Sequence, residues 1–326
     1  MLLIHFQRLT YCLTAAVLFL APLATDVHAA ADKTTHDGRT YYSAQWIKNY
    51  FRFTGISTSK GRVILTSPKV RLAASSGSQT LYLNRVKFTM SYPLLSKGGT
   101  YYFSHVDAAK LIHPVLKPGN IRQATPFSTV IVDAGHGGHD SGSRGPYGVE
   151  KQYTLALAYK LKRQLQAKGF KVVLTRSGDS FLSLQQRVAL ANKYSNAIFV
   201  SLHFNWASSG GAGLETFALS PPDSSSTMGG YSSTQFSGNR LDAANIALAT
   251  AVQAYSIKQL GGVDRGIKRA RFAVLKGLKM PGVLFEGGFL SNRSEAKKIH
   301  SNLYLERMAA SLTTGIVKYR TETTSR

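Results

Sequence analysis

Beyond Ser128 the chain alternates short apolar runs with stretches of helical periodicity. STVIVD, VVLT (172–175) and AIFVSL (197–202) have the length and composition of short buried strands. Between the first two, Lys151–Gly169 sets Leu155, Ala158, Leu161 and Leu165 on one face with lysines opposite, and ends on a C-capping glycine. SLQQRVALANKYS opens on a capping box, Ser183 with Gln186. LETFAL (214–219), FAVL (272–275) and GVLFE (282–286) extend the strand series. A long helix is expected around Leu241–Leu260, and a last one over about Leu303–Tyr319, where Leu305, Ala309, Leu312 and Ile316 stay in register. This alternation predicts an α/β fold over 128–320, a mostly parallel sheet with helices on both faces. SPPDSSSTMGGYSSTQFSG interrupts it as a polar loop of about 20 residues, a length that usually marks mobility or function.

Residues 32–120 follow another rhythm. DGRTYYSAQWIKNYF reads as a strand and a short helix. GRVILTSPKVRLAA, QTLYLNRVKFTM and GTYYFSHVDAAKLI alternate apolar and polar positions with β-branched and aromatic enrichment, which predicts a small β-rich α+β module. The segment GG-TYY-S-DAAKLI after YLNRVKF resembles the amine-oxidase N-terminal-like modules of some bacterial wall proteins. His113–Phe127, with three prolines and Gly119, reads as a linker.

The first residues do not belong to either pattern. MLLIHFQRLTYC carries one positive charge, Arg8, and LTAAVLFLAPLA follows as an apolar core of secretory-leader length. Val27-His28-Ala29 resembles a small-x-small cleavage site, so 1–29 is expected to be a removed signal peptide. Pro22 and Asp26 break the run well short of the roughly 20 apolar residues of a spanning helix, and no stable membrane anchor is expected after cleavage. The single cysteine, Cys12, lies in that leader behind Tyr11, where a lipoprotein box needs a small residue. The exported chain therefore holds together by core burial without disulfides. Periplasm is the expected location, or the wall if the organism lacks an outer membrane.

Charge narrows the partner. The chain has 40 Lys+Arg against 16 Asp+Glu; residues 30–126 carry 14 basic and 3 acidic groups, and 127–326 carry 25 and 12. Nucleic acid is the usual partner of such a balance, but an exported protein rarely meets it. An anionic wall polymer or envelope surface, reached by long-range steering, is the expected partner. For 32–120 the same excess suggests wall or envelope targeting. The plainer alternative is that positive charge merely suits the compartment.

In open α/β sheets, sites form where strands end. After the first strand, VIVDAGHGGHDSG places His136 among glycines; AIFVSL runs into His203; GVLF ends on Glu286; Glu150 stands where the first helix begins. Two imidazoles and a carboxylate are an open ligand set for catalytic zinc, and a second carboxylate can carry the proton from water to a leaving nitrogen. Each group alone has an ordinary reading. Any of the mature chain's seven histidines can be a surface or core residue, Glu150 a helix-start acid, Glu286 a buried partner of an arginine. Their joint placement at strand ends puts the site on an even footing with those ordinary readings.

VIVDAGHGGHDSGSRGPYGVEKQYTLALAYKL, KVVLTRSGDSFLSLQQRVALAN, AIFVSLHFN and DRGIKRARFAVLKGLKMPGVLFEGGFLSN, with the final helix, resemble in order the zinc-dependent N-acetylmuramoyl-L-alanine amidases across 128–320. The resemblance implies a peptidoglycan hydrolase acting in wall remodelling or cell separation, with one Zn²⁺ held by His136, Glu150 and His203. It implies Glu286 as the catalytic glutamate, and places Asn205 and Arg265 at family positions of substrate binding. Ala134 stands where proline is common and Gly287 where threonine or serine is common. His139 falls at a tolerant position and reads as loop. The long regulatory insertion of some members is not evident, so an open site is expected.

Three rivals share parts of this picture. A zinc peptidase on wall peptides would use the same metal chemistry on another bond. A non-enzymatic wall-binding protein would keep the basic surface but not need the four chemical groups. A penicillin-sensitive serine carboxypeptidase, as a second activity, would use Ser57-x-x-Lys60, with SGN at 237–239 and KGG at 97–99. Such triplets are expected by chance in a Ser/Lys-rich chain, and they straddle the two halves.

Overall fold

The computed structural model describes residues 32–324, apart from positions 125 and 209. The leader expected over 1–29, with Cys12, lies outside the described residues. No helix among them is long and apolar enough to cross a membrane.

The N-terminal part begins with β1 (Lys33–His36), β2 (Arg39–Ser43) and α1 (Ala44–Phe51). Ser43 caps α1 by accepting from the Trp46 amide at 2.9 Å. An antiparallel meander follows: β3 (Gly55–Ser59), β4 (Arg62–Thr66), β5 (Arg71–Ser75), β6 (Thr80–Leu83) and β7 (Val86–Thr89). Next come β8 (Leu95–Lys97) and β9 (Thr100–Ser104), which join β2 and β1 in a small second sheet. A helical stretch, α2 (His105–Asp107) to α3 (His113–Leu116), closes the module. The segment expected as a linker is packed instead: Pro114, Ile121, Ala124 and Phe127 are buried, because its apolar residues join the core of the part that follows.

The second part opens with β10 (Thr129–Ala134), a two-stranded ribbon of β11 (Arg144–Gly145) and β12 (Gly148–Val149), and α4 (Glu150–Gln166). Then follow β13 (Lys171–Leu174), α5 (Leu184–Ala191), β14 (Ala197–Asn205) and β15 (Leu214–Leu219). The Ser183–Gln186 box caps α5 in both directions, at 3.2 and 2.8 Å. The polar loop carries a short hairpin, β16 (Ser224–Ser225) with β17 (Tyr231–Ser232), before α6 (Asp242–Leu260). The chain ends with β18 (Asp264–Ala270), α7 (Ala273–Lys276), β19 (Gly282–Phe289), α8 (Arg293–His300) and α9 (Asn302–Thr324).

Among the described residues, eleven of the nineteen strands share one sheet, in the order β13-β10-β14-β19-β15-β18-β7-β6-β5-β4-β3. The first four are parallel, but β15 runs antiparallel to β19, so the sheet is mixed where a mostly parallel one was expected. The cause is the short link from Trp206 to Gly213, since a parallel return needs a crossover of a dozen residues or more. Two other expectations change. FAVL forms α7, not a strand, and packs Val274 and Leu275 against the face that α5 covers. The strand is DRGIKRA, one element earlier, whose charges hid it.

The sheet has two unequal apolar layers. On one face Val130, Val132, Val200, Leu202, Val283 and Phe285 meet α4, α6 and α9, and the layer continues through Ile267 and Phe88 to Leu81, Leu72 and Val63. On the other, Ile131, Phe199, Phe217 and Leu284 pack under the shorter α5 and α7, with Tyr194, Phe236, Leu278 and Met280 filling in around them. The two parts are joined by ladder pair Ile267↔Phe88 and by a buried charge cluster. Asp107, wholly buried, accepts from the Ser91 and Tyr92 amides at 2.7 and 3.1 Å and from Ser104 Oγ at 2.6 Å. Arg269, from β18, lies 3.5 Å from Asp107 and donates to Ser91 Oγ at 2.8 Å and the Lys110 carbonyl at 2.6 Å.

Candidate active site

The C-terminal ends of β10, β14 and β19 open onto a cleft of about 650 Å³. His136 follows β10, with a left-handed φ of +61° that turns its ring back toward the sheet. Glu150 is the first residue of α4, and His203 stands near the end of β14. These three converge on one point: Glu150 Oε1 lies 3.1 Å from His136 Nε2 and 2.9 Å from His203 Nδ1. The imidazole rings are 4.9 Å apart at 80°. Two nearby glycines make this crowding possible. A Cβ on Gly135 would fall 2.4 Å from His203 Cε1, and one on Gly142, whose φ is +64°, would fall 2.6 Å from Glu150 Oε2.

The donor set is braced from behind. His136 Nδ1 faces Asp140 Oδ2 at 2.8 Å, which directs Nε2 inward. Glu150 accepts from the Phe204 amide at 3.0 Å through Oε1 and from the Ser143 amide at 2.8 Å through Oε2. Arg187 donates to Asp133 at 2.7 Å and to the carbonyls of Ala134 and His136 at 2.7 and 2.8 Å. Arg176 holds the carbonyls of Ala134 and Gly135 at 3.0 and 2.9 Å. Burial opposes charge on Glu150, yet hydrogen bonds from His136 and His203 outweigh it and hold the carboxyl far below its ordinary range. Two nitrogens and a carboxylate oxygen, all within 4.8 Å of one another, form a donor set that fits one small divalent cation.

Glu286 is the direct register partner of His203 on the neighbouring strand, and of Glu215 on the other side. Its Oε2 is covered and has no hydrogen-bond partner among the described residues. Burial first, then the charges of Glu150 and Glu215, push its carboxyl well above the usual range, against the pull of Lys268. The cleft wall beyond it is apolar, built from Phe181, Leu182, Phe272 and Val274.

The structure thus brings His136, Glu150, His203 and Glu286 together. Asn205 also lines the cleft, but its amide donates to Glu215 Oε1 at 2.8 Å. Arg265 is not in the lining; it pairs with Glu215 Oε2 at 2.8 Å and stacks over Phe289. Glu215, which Lys268 also reaches at 2.5 Å, is the hub the sequence reading missed; its only signal was one acid inside the apolar run LETFAL. His139 rests against Phe181 outside the donor set. Ser57 is exposed on β3 and Lys60 in the following turn at φ +46°, and neither lines the cleft. The polar loop is tied down by Arg271, which donates to Gly230 and Ser232 carbonyls, and contributes nothing to the cleft lining.

A family model described as N-acetylmuramoyl-L-alanine amidase matches residues 130–318, which include all four groups. The chain belongs to this amidase family. It is 36% identical over 191 residues to the N-acetylmuramoyl-L-alanine amidase LytC of Bacillus subtilis, covering 59% of this chain and 35% of that protein. It is 32% identical over 230 residues to the amidase AmiC of Escherichia coli O6:H1, covering 62% and 55%. Among solved structures, the catalytic domain of the amidase CwlV from Bacillus (Paenibacillus) polymyxa superposes with a TM-score of 0.51 at 34% identity, covering 59% of this chain and 98% of that one. The chain therefore spans about a third and about half of these two curated amidases, and nearly all of the solved catalytic domain.

Proposed function

We propose that the protein is an exported, zinc-dependent hydrolase of peptidoglycan that cuts the amide between N-acetylmuramic acid and L-alanine, in wall remodelling or cell separation. The observation that carries this reading is the approach of His136, Glu150 and His203 to one point, with the unpartnered carboxyl of Glu286 one strand away. His136, Glu150 and His203 would hold the zinc. Bound there, zinc supplies a Lewis acid for the scissile carbonyl and makes an attacking water more acidic.

The remaining work falls to the chain. Glu286 takes the proton of the attacking water and returns it to the departing alanine nitrogen. A carboxyl held above its ordinary range is suited to this, because it gives a proton back near neutral pH as readily as it accepts one. Asp140, Arg176 and Arg187 hold the His136 turn in place while the charge at the centre changes. Phe181, Leu182, Phe272 and Val274 supply an apolar wall that keeps bulk water from the bond.

The test is Glu286→Ala on purified sacculi. The variant should retain one zinc by metal analysis and release no free stem peptides by mass spectrometry. Release at the wild-type rate would sink the assignment. Fragments still joined to glycan, cut within the peptide, would favour a zinc peptidase instead.

A further inference from the structure

Strand directions carry the cleft's edge of the sheet into the N-terminal module. β18 runs with β15, against β19; β7 runs with β18; β6 turns back against β7. β6 is therefore parallel to β19, and its end at Leu83 lies on the same edge as Glu286 and His203. The start of β5 at Arg71 lies there too, since β5 is antiparallel to β6.

Pairing carries the face as well. Glu286 faces the same way as Glu215 and, two residues on, Phe217, whose partner is Lys268. Ile267 pairs with Phe88, so Lys268 shares its face with Lys87. Lys87 pairs with Tyr82, Tyr82 with Ala73, and Ala73 with Ile64. Alternation then adds Arg71 and Arg62 to that face. Over the catalytic strands this face is covered by α5 and α7; over β4 to β6 it is largely bare, with Arg62, Thr66, Arg71, Ser75 and Tyr82 exposed around a half-buried Ile64 and a buried Ala73.

The bare region is not generic surface. Arg62, Arg71, Tyr82, Asn84 and Arg85 line an open concavity of about 640 Å³. Asn84 clasps it, accepting from the Arg71 amide at 2.8 Å and donating to the Lys69 carbonyl at 3.0 Å, which holds Arg71 beside the β6–β7 turn. Tyr82 is 39% exposed among the arginines. From Asp37 to Asp107 the sequence contains no other acid, so nothing on this meander neutralises them. Arg265 and Lys268, partly exposed, lie between this surface and the cleft.

We propose that the β4–β6 face is a second docking site for the peptidoglycan strand being cut, with Arg62, Arg71 and Arg85 pairing stem-peptide carboxylates and Tyr82 stacking on sugar. This rests on the hydrolase reading above. From β19 to β6 is four strands, about 20 Å at roughly 4.8 Å per strand, a span for a polymer and not for a small substrate. Peptidoglycan is favoured over a lipid surface because, Tyr82 and the half-buried Ile64 apart, the other exposed groups on the face among the described residues are Ser57, Ser59, Thr66 and Ser75, short polar side chains that offer a bilayer nothing to insert.

The test is sedimentation of the whole chain with sacculi stripped of attached polymers, in a Glu286→Gln background to prevent digestion. Adding Arg62→Ser, Arg71→Ser and Arg85→Ser together should weaken binding at least tenfold at low salt and flatten its salt dependence. Sacculi whose carboxylates are converted to amides should bind the chain with intact arginines no better than that triple variant. With Glu286 intact, the triple variant should hydrolyse a soluble muramoyl-peptide within about twofold of wild type, since the cleft is untouched. Equal sedimentation of both proteins, or no effect of amidation, overturns the proposal. So does a loss seen on phosphatidylglycerol vesicles and not on sacculi. If the wild type releases no stem peptide from sacculi, the hydrolase reading fails, while the sedimentation arms still decide whether this face binds the polymer.

Discussion

His203 and Glu286 occupy the same ladder position on adjacent parallel strands. The imidazole proposed to hold the metal and the carboxyl proposed to carry the proton are thus spaced by the sheet, not by a loop. The strand spacing is fixed, so side-chain length decides where the carboxyl ends. Glu286→Asp withdraws it by about one C–C bond, 1.5 Å. Zinc content should be unchanged and kcat should fall about 100-fold, the order of loss attributed to an ångström of misplacement. Steady-state kinetics on a soluble muramoyl-peptide checks this.

Asp140 touches no other member of the donor set than His136. Asp140→Asn keeps the shape but removes the charge that orients the ring. Zinc affinity, measured by competition with a chromophoric chelator, should drop 10- to 100-fold. Excess zinc should restore much of the activity, which a folding defect would not allow.

Gly142 leaves no room for a methyl group, which would lie 2.6 Å from both Glu150 Oε2 and His136 Cδ2. Its φ of +64° adds strain for any other residue. Gly142→Ala should lose zinc at concentrations that saturate the wild type, with a far-ultraviolet dichroism spectrum like the wild type's.

Arg187 and Asp133 form an ion pair at 2.7 Å with both side chains almost fully buried. Removing one partner strands the other's charge. Arg187→Met should cost about 3–5 kcal/mol of unfolding free energy. Urea denaturation gives the figure, and Asp133→Asn in the same background should recover part of it.

Asp242, at the start of α6, is buried and held above the ordinary aspartate range by that burial, despite Asn239 at 2.9 Å and Lys110 at 3.6 Å. A carboxyl whose folded value is raised binds its proton more tightly in the native state. The stability it contributes is therefore lost as pH climbs from about 4 through the raised value. Asp242→Asn carries no such titration. The stability difference between wild type and this variant, from urea curves across pH 4–8, should shift in the variant's favour as pH rises.

Much of the candidate site was legible from joint placement: His136, His203 and Glu286 stand at strand ends and Glu150 at a helix start, positions that are ordinary singly and point to chemistry only together. Glu215 was not legible, since a lone acid within LETFAL gives no hint that Asn205, Arg265 and Lys268 all turn toward it. The same blindness hid β18. DRGIKRA looks like a solvated segment until Asp107, Glu215 and the backbone are seen to absorb its charges. The mixed direction of the sheet was a matter of link length after β14, which apolar periodicity does not report.

The join between β18 and β7 has a bearing on how this protein can be dissected. With the meander cut away, β18 would become the rim of the sheet, its backbone donors and acceptors open to any passing strand, beside the stranded guanidinium of Arg269. A catalytic half expressed alone should self-associate or precipitate, so a loss of wall binding by such a fragment would say little about targeting.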